Sequence, residues 1–183
     1  MRYSSFISII NCQRWDYIIK KKMLGLLDRK KHLYKGEIVD LVERARVSEK
    51  ASFDGVPTVF YDIYLSSSNL GSNLTGSNLK VGKCDLRLKN DGFMYYYGNV
   101  GYNIKESYRG HHYAYYACKI LFKIAKEEFG LKELIITCNP DNDASYKTLK
   151  RLGGKLVEIA QIPYDHELYE KGDRFKCIFR FKL

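Results

Sequence analysis

Gly101-Tyr102-Asn103-Ile104-Lys105-Glu106-Ser107-Tyr108-Arg109-Gly110-His111-His112-Tyr113-Ala114 opens as the end of a strand and closes on a glycine-containing turn that feeds a helical pattern. Ala114, Cys118, Leu121, Ala125 and Phe129 then recur at helical spacing, with Lys119, Lys123, Lys126 and Glu127 on the other faces. A strand that enters a helix through such a turn gathers unpaired backbone N–H groups at one spot, and the helix dipole adds partial positive charge there. Arg109, Gly110, His111, His112, Tyr113 and Ala114 therefore predict an anion-binding loop whose geometry suits a pyrophosphate.

Downstream, Gly130 stops the helix, and Leu134 to Cys138 is a short buried-strand run. Asn139-Pro140-Asp141-Asn142 reads as a turn and cap for a second helix, which runs through Leu152 and ends at Gly153-Gly154. A last strand is predicted over Arg174 to Phe181. Upstream, Pro57 to Leu65 alternates Val59, Tyr61 and Ile63, Leu79 to Leu88 repeats the pattern, and Phe93 to Ile104 forms a third strand. The three read as an antiparallel meander in which alternate members of Tyr95-Tyr96-Tyr97 face opposite sides. Leu33 through Ala51 carries helix-like spacing, with Ile38, Leu41, Val42 and Ala45 on one face. Ser66 to Asn78, where Gly-Ser-Asn-Leu nearly repeats, is a polar connection placed by the meander beside the phosphate loop, either to close over a ligand or as a tolerated insertion.

The order of strand, phosphate loop, helix, strand, Asn-x-x-Ser helix and Leu-Gly resembles the GNAT superfamily of acyl-CoA-dependent N-acyltransferases, over roughly Pro57 to the C-terminus. Arg109 to Ala114 is similar to its coenzyme A signature, Gln/Arg-x-x-Gly-x-Gly/Ala, with His112 in place of the middle glycine. Asn142 and Ser145 match the Asn-x-x-Ser of the ribosomal-protein N-terminal acetyltransferase branch. The resemblance implies an α/β (α+β) fold, a mixed and mainly antiparallel sheet with helices on both faces. It implies acetyl-CoA as co-substrate and direct attack on it by an amine, from a protein N-terminus or a small molecule. It also implies that the third strand splays from the following parallel strand. The pantetheine arm would then lie along Tyr102, Asn103 and Ile104, with an oxyanion donor near Val100 to Tyr102 and contacts from Asn142 and Ser145. Asn142 equally reads as a simple helix cap. Where many members carry a tyrosine to protonate the leaving thiolate, this chain has Leu149. That departure motivates the alternative, a catalytically weak coenzyme A-binding scaffold acting as a sensor or partner protein.

An attacking amine must lose a proton, and a positioned base contributes roughly 100- to 10,000-fold. Glu158 and Asp165 are the carboxylate candidates and Tyr169 the candidate proton donor, in the segments that precede the final strand. An ordinary polar turn is the plainer reading of the same residues. His111 and His112 would sit at the phosphate end, far from a thioester, where contact with phosphate or adenosine suits them better than catalysis.

With 183 residues the chain is expected to form one domain over 23–183, preceded by an extension over 1–22, because Met23 opens a compact run and offers a second start. Of the formal charge of +10, residues 1–35 carry nine basic and two acidic side chains, +7, leaving +3 for the rest. A solvated amphipathic helix accounts for that excess better than a nucleic-acid partner. The five cysteines include no Cys-x-x-Cys pair and read as reduced, and the four histidines lack metal-ligand spacing, so no metal is expected. No run of about 18 apolar residues exists, and Phe6 to Ile10 is too short for a secretory core; neither a membrane span nor export is expected, and the location is the cytoplasm. A tyrosine-rich sheet edge suggests a homodimer.

Overall fold

Alternation of apolar and polar residues builds the larger sheet. The computed structural model describes residues 32–52, 55–66, 79–89, 92 and 94–183; the 1–22 extension and nearly all of the Ser66 to Asn78 connection lie outside them. Five strands, β1 (Leu33–Tyr34), β2 (Val39–Val47), β3 (Thr58–Leu65), β4 (Lys80–Arg87) and β5 (Val100–Ile104), pair in that order, each antiparallel to the next. Val59, Tyr61 and Ile63 of β3 and Cys84 and Leu86 of β4 turn to one face and are buried. Phe60 and Asp62, opposite Asp85 and Lys83, turn to the other. A second sheet of β6 (Glu133–Cys138), β8 (Phe175–Lys182) and β7 (Lys155–Gln161) follows, again antiparallel, with β8 central.

Helix α2 (Tyr113–Glu127) packs on the buried face of the larger sheet through Ala117, Cys118, Leu121, Ile124 and Ala125. Leu121 is fully buried there, and truncation to alanine would cost about 3 kcal/mol through lost transfer energy and the cavity left behind. Helix α3 (Asp143–Arg151) lies beside α2 and over β6. On the opposite side, the short helices α1 (Met94–Tyr97) and α4 (Glu167–Glu170) are tied by the Tyr97 hydroxyl, which donates to Glu167 Oε2 at 2.7 Å, with the His166 ring against Tyr96 and Tyr97. Helices thus cover both faces of a mainly antiparallel assembly.

Three sequence expectations are corrected. The helix read over Leu33 to Ala51 is the β1–β2 hairpin: β2 gains a full ladder with β3, and a bulge between Glu43 and Ala45 interrupts its two-residue period. The third strand is shorter than Phe93 to Ile104. Met94 to Tyr97 coil into α1, and Gly98, at φ +72°, reverses the chain against the backbone of Ile135 to Thr137 before β5 begins. Tyr95, Tyr96 and Tyr97 therefore do not alternate on a strand and form no sheet edge, which removes the ground for the homodimer. β7, in the segment that holds Glu158, is an additional strand.

Candidate functional site

Between β5 and β6 the two sheets touch and then part. The Asn99 backbone N–H donates to the Ile135 carbonyl at 2.6 Å, and Asn99 Oδ1 accepts the Ile135 N–H at 2.7 Å. Beyond that clip no ladder joins the strands. Asn99 meets Ile135 near the start of β6, while Tyr102 further along feels Cys138 at its end, so the strands run the same way and diverge.

The edge of β5 facing the gap follows from hydrogen-bond alternation. Arg87 N–H donates to Asn99 C=O at 2.7 Å and Lys105 N–H to Val81 C=O at 2.9 Å, so odd-numbered residues of β5 point at β4. Val100, Tyr102 and Ile104 consequently turn their N–H and C=O groups toward the gap. The Ile104 carbonyl accordingly accepts a hydrogen bond from Arg109 Nε at 3.3 Å. Of the three residues expected to hold the pantetheine arm, Tyr102 and Ile104 present backbone to the gap, whereas Asn103 presents its side chain.

The gap is a cleft of about 230 Å³ with walls of two kinds. Toward α3 it is lined by Tyr102, Cys138, Asn142 and Ser145. Asn142 caps α3 by accepting the Ser145 N–H at 3.0 Å, so the helix-cap reading holds and both residues also border the cleft. Toward the opposite face it is lined by Lys83, Asp85, Arg87, Arg44 and Phe60, with Asp173 and Lys176 beyond. Asp85 Oδ2 pairs with Arg87 Nη2 at 3.0 Å, and Arg87 Nη1 donates to the Gly98 carbonyl at 2.9 Å, which fixes the pair against the end of α1. Gly101 lies directly beneath Asp85: a Cβ at this position would sit 2.5 Å from Asp85 Oδ1. Asp173, 4% exposed, is held by Lys176 at 2.8 Å and by Asn139 Nδ2 at 2.8 Å.

At the far end of β5, Arg109, Gly110, His111 and His112 lead into the N-terminus of α2, where Tyr113 and Ala114 form the first turn and no side chain caps the backbone. His112 stands in the left-handed region at φ 58°, among the described residues the one non-glycine with positive φ. It keeps the backbone conformation that glycine would take at this point of the signature, and its side chain is exposed. His111 stacks on Tyr113 at 5.3 Å. Open N–H groups at this turn suit a phosphate.

Glu158, Asp165 and Tyr169 lie outside the cleft lining. Glu158 is exposed and accepts the Tyr95 hydroxyl, a hydrogen bond that pushes that phenol up to about 12. Asp165 is exposed in the turn before α4, and the Tyr169 ring is covered by the Arg174 guanidinium at 3.8 Å. The sequence reading passed over Asp85, Arg87 and Asn99; the signal for the first two was the polar half of the β4 alternation, Lys83-Cys84-Asp85-Leu86-Arg87.

An open strand edge thus leads across the split sheet to an uncapped helix N-terminus. A profile described as the acetyltransferase (GNAT) domain matches residues 46–155, more than half of the chain. The protein belongs to this family. Among solved structures it is similar to RimL, a ribosomal L7/L12 alpha-N-protein acetyltransferase in complex with coenzyme A (12% identity over 83% of this chain and 98% of that one, TM-score 0.57). It is similar also to an acetyltransferase from Agrobacterium tumefaciens strain C58 (17%, 86% and 98%, TM-score 0.56). A third is the microcin C7 self-immunity acetyltransferase MccE in complex with acetyl-CoA and AMP (17%, 69% and 61%, TM-score 0.50). At these identities the likeness is one of fold. The chain spans 61 to 64% of the length of several of the chains it matches. Comparison with curated protein sequences returns no match.

Proposed function

We propose that the protein transfers the acetyl group of acetyl-CoA to a primary amine. The observation that carries this reading is the open edge of β5 in a cleft that reaches both faces of the sheet. On the α2–α3 face the Arg109 to Ala114 turn would hold the pyrophosphate. Val100, Tyr102 and Ile104 offer the backbone groups for the pantetheine arm, and Asn142 and Ser145 border its inner end. On the other face the amine would enter beside Asp85, which takes its proton as nitrogen attacks the thioester carbonyl. The Tyr102 N–H, directed into the gap, is the donor for the developing oxyanion, a contribution of about 3 kcal/mol for one good donor. Asp85 takes the base role in place of Glu158 and Asp165 because it borders the cleft and they do not, and Tyr169, the candidate proton donor, lies outside the lining as well.

The acceptor class begins with a protein N-terminal amine, by analogy with RimL. Asp85 would receive the ammonium, and Arg44, Lys83 and Arg87, which line the same cleft, disfavour polyamines. The test has two stages. Thermal unfolding with acetyl-CoA at about 1 mM, with ATP as the phosphate control, should show a shift of several degrees specific to the coenzyme; ligand at about 100 times its dissociation constant adds roughly 2.7 kcal/mol. Mass spectrometry of peptides with free N-termini, amino sugars and polyamines incubated with both components then identifies the acceptor. Absence of the coenzyme-specific shift would overturn the reading.

A further inference from the structure

The charges that line the cleft do not cancel. Arg44, Lys83, Arg87 and Lys176 stand against Asp85 and Asp173, four cations to two carboxylates. Each carboxylate is matched within the lining, Asp85 by Arg87 at 3.0 Å and Asp173 by Lys176 at 2.8 Å. The surplus therefore falls on Arg44 and Lys83. Arg44 Nε lies 3.9 Å from Asp62 Oδ1, an oxygen that Lys80 Nζ holds at 2.6 Å, and Lys83 is the direct partner of Asp62 in the β3–β4 register. Three cations thus stand about one carboxylate. The Arg44 guanidinium lies over the Phe60 ring at 5.9 Å and its side chain is only 20% exposed, so water and salt screen it less than a charge at the open surface. On the acetyl-transfer reading the coenzyme phosphates do not offset this surplus, because they lie at the Arg109 to Ala114 turn beyond the far end of β5.

We infer that the acceptor is a peptide N-terminus with acidic side chains at its second and third residues, whose carboxylates pair with Arg44 and Lys83 while its amine meets Asp85. The inference rests on the acetyl-transfer reading above and names the acceptor more closely. Spacing decides where the acidic residues fall. Lys83 is two residues from Asp85 along β4, about 7 Å at the rise of a strand, and the same rise carries an extended acceptor from its first residue to its third. Arg44 approaches from the side, since Ala45, Phe60, Asp85 and Gly101 are successive partners across β2, β3, β4 and β5. Basic side chains at the same positions of an acceptor would meet like charge. Complementary charge at the mouth of a cleft speeds encounter and rejects wrong partners more than it adds raw affinity.

Three peptides that share an N-terminal serine and carry glutamate, glutamine or lysine at positions two and three provide the test, with acetylation by acetyl-CoA followed by mass spectrometry. For the wild type kcat/KM should fall about tenfold from the glutamate to the glutamine peptide and again to the lysine peptide, mainly through KM. The spread should narrow in about 0.5 M salt. Arg44→Gln combined with Lys83→Gln leaves Lys80 balanced against Asp62 and should bring the three peptides within about twofold of one another. A coenzyme-dependent rise in unfolding temperature shows that the double variant is folded. Equal turnover of the glutamate and glutamine peptides by the wild type, or a preference that survives in the folded double variant, overturns the inference and leaves acetyl transfer standing. Turnover of no peptide by a wild type that binds acetyl-CoA overturns it as well. If no coenzyme-specific shift appears, the acetyl-transfer reading itself fails and the inference falls with it.

Discussion

Asn99 and Ile135 are joined twice, by the Asn99 backbone N–H to the Ile135 carbonyl and by the Ile135 N–H to Asn99 Oδ1, at 2.6 and 2.7 Å. Asn99 Nδ2 also donates to the carbonyls of Lys89 at 2.8 Å and Arg87 at 3.2 Å, so one fully buried side chain ties β4, β5 and β6 at the point where the sheets part. Asn99→Ala would strand one N–H and weaken two carbonyls, a loss of about 3 kcal/mol in urea unfolding. Asn99→Asp should lose as much, because its second oxygen would face those two carbonyls with no proton to give. A loss below about 1 kcal/mol in both variants would remove the clip from the account of the cleft.

His112 takes a backbone conformation that costs a side-chain-bearing residue about 1 kcal/mol, and its exposed imidazole makes no hydrogen bond as a cap. His112→Gly should therefore stabilise the protein, by somewhat less than that amount because glycine gains freedom in the unfolded chain. On the proposed reading the pyrophosphate is held by the backbone of this turn, so acetyl-CoA affinity should change less than about threefold, a shift of under 1 kcal/mol. Thermal unfolding with and without the coenzyme measures both quantities. A destabilised glycine variant would show that the imidazole holds the turn through contacts of its own.

The elements legible in the sequence are those whose pattern is undisturbed. β6 alternates cleanly, β4 does so from Lys83 to Arg87, β3 is a run of β-branched and aromatic residues, α2 and α3 have an apolar stripe, and Gly130, Pro140 and Gly153 punctuate them. β2 was misread because its bulge leaves Leu41, Val42 and Ala45 at helix-like spacing. β7 is an edge strand with Val157 and Ile159 exposed, so burial imposes no alternation on it. The turn from Arg109 into α2 was legible because it is written in consecutive residues. The opposite wall of the cleft was not: Asp85 and Gly101 are brought together by β4–β5 register, and only a close approach shows why a glycine stands there.

Asp85 and its partner Arg87 give the proposed acceptor face a testable centre. Asp85→Asn keeps the size of the side chain over Gly101 and removes the proton acceptor. With the acceptor found by the screen, turnover at neutral pH should fall by about 100-fold or more, while acetyl-CoA binds within about twofold of wild type. Initial rates by mass spectrometry and calorimetry with the coenzyme provide the two readings. Undiminished turnover would return the search for a base to a water relay or to Glu158.

Burial of thiols predicts how stability responds to alkaline pH. Cys118 and Cys138 are buried, and burial pushes each thiol up to about 12 from an ordinary value of 9. The folded state therefore retains protons that the unfolded chain gives up. Below pH 9 both states are protonated and the thiols leave stability independent of pH; between pH 9 and about 12 the unfolded state binds fewer protons, so stability falls as pH rises. Each thiol contributes up to about 1.4 kcal/mol per pH unit in that window. Urea midpoints at pH 8, 9 and 10 should thus be flat over the first step and fall over the second. Cys118→Ala should lower stability at pH 8 through the lost packing but flatten the alkaline fall. The same burial should leave Cys118, which is fully buried and away from the cleft, unreactive toward a thiol reagent until urea unfolds the chain. Rapid labelling of Cys118 in the folded protein, or an alkaline fall unchanged in Cys118→Ala, would show that opening of α2 from the sheet, and not thiol burial, governs the response.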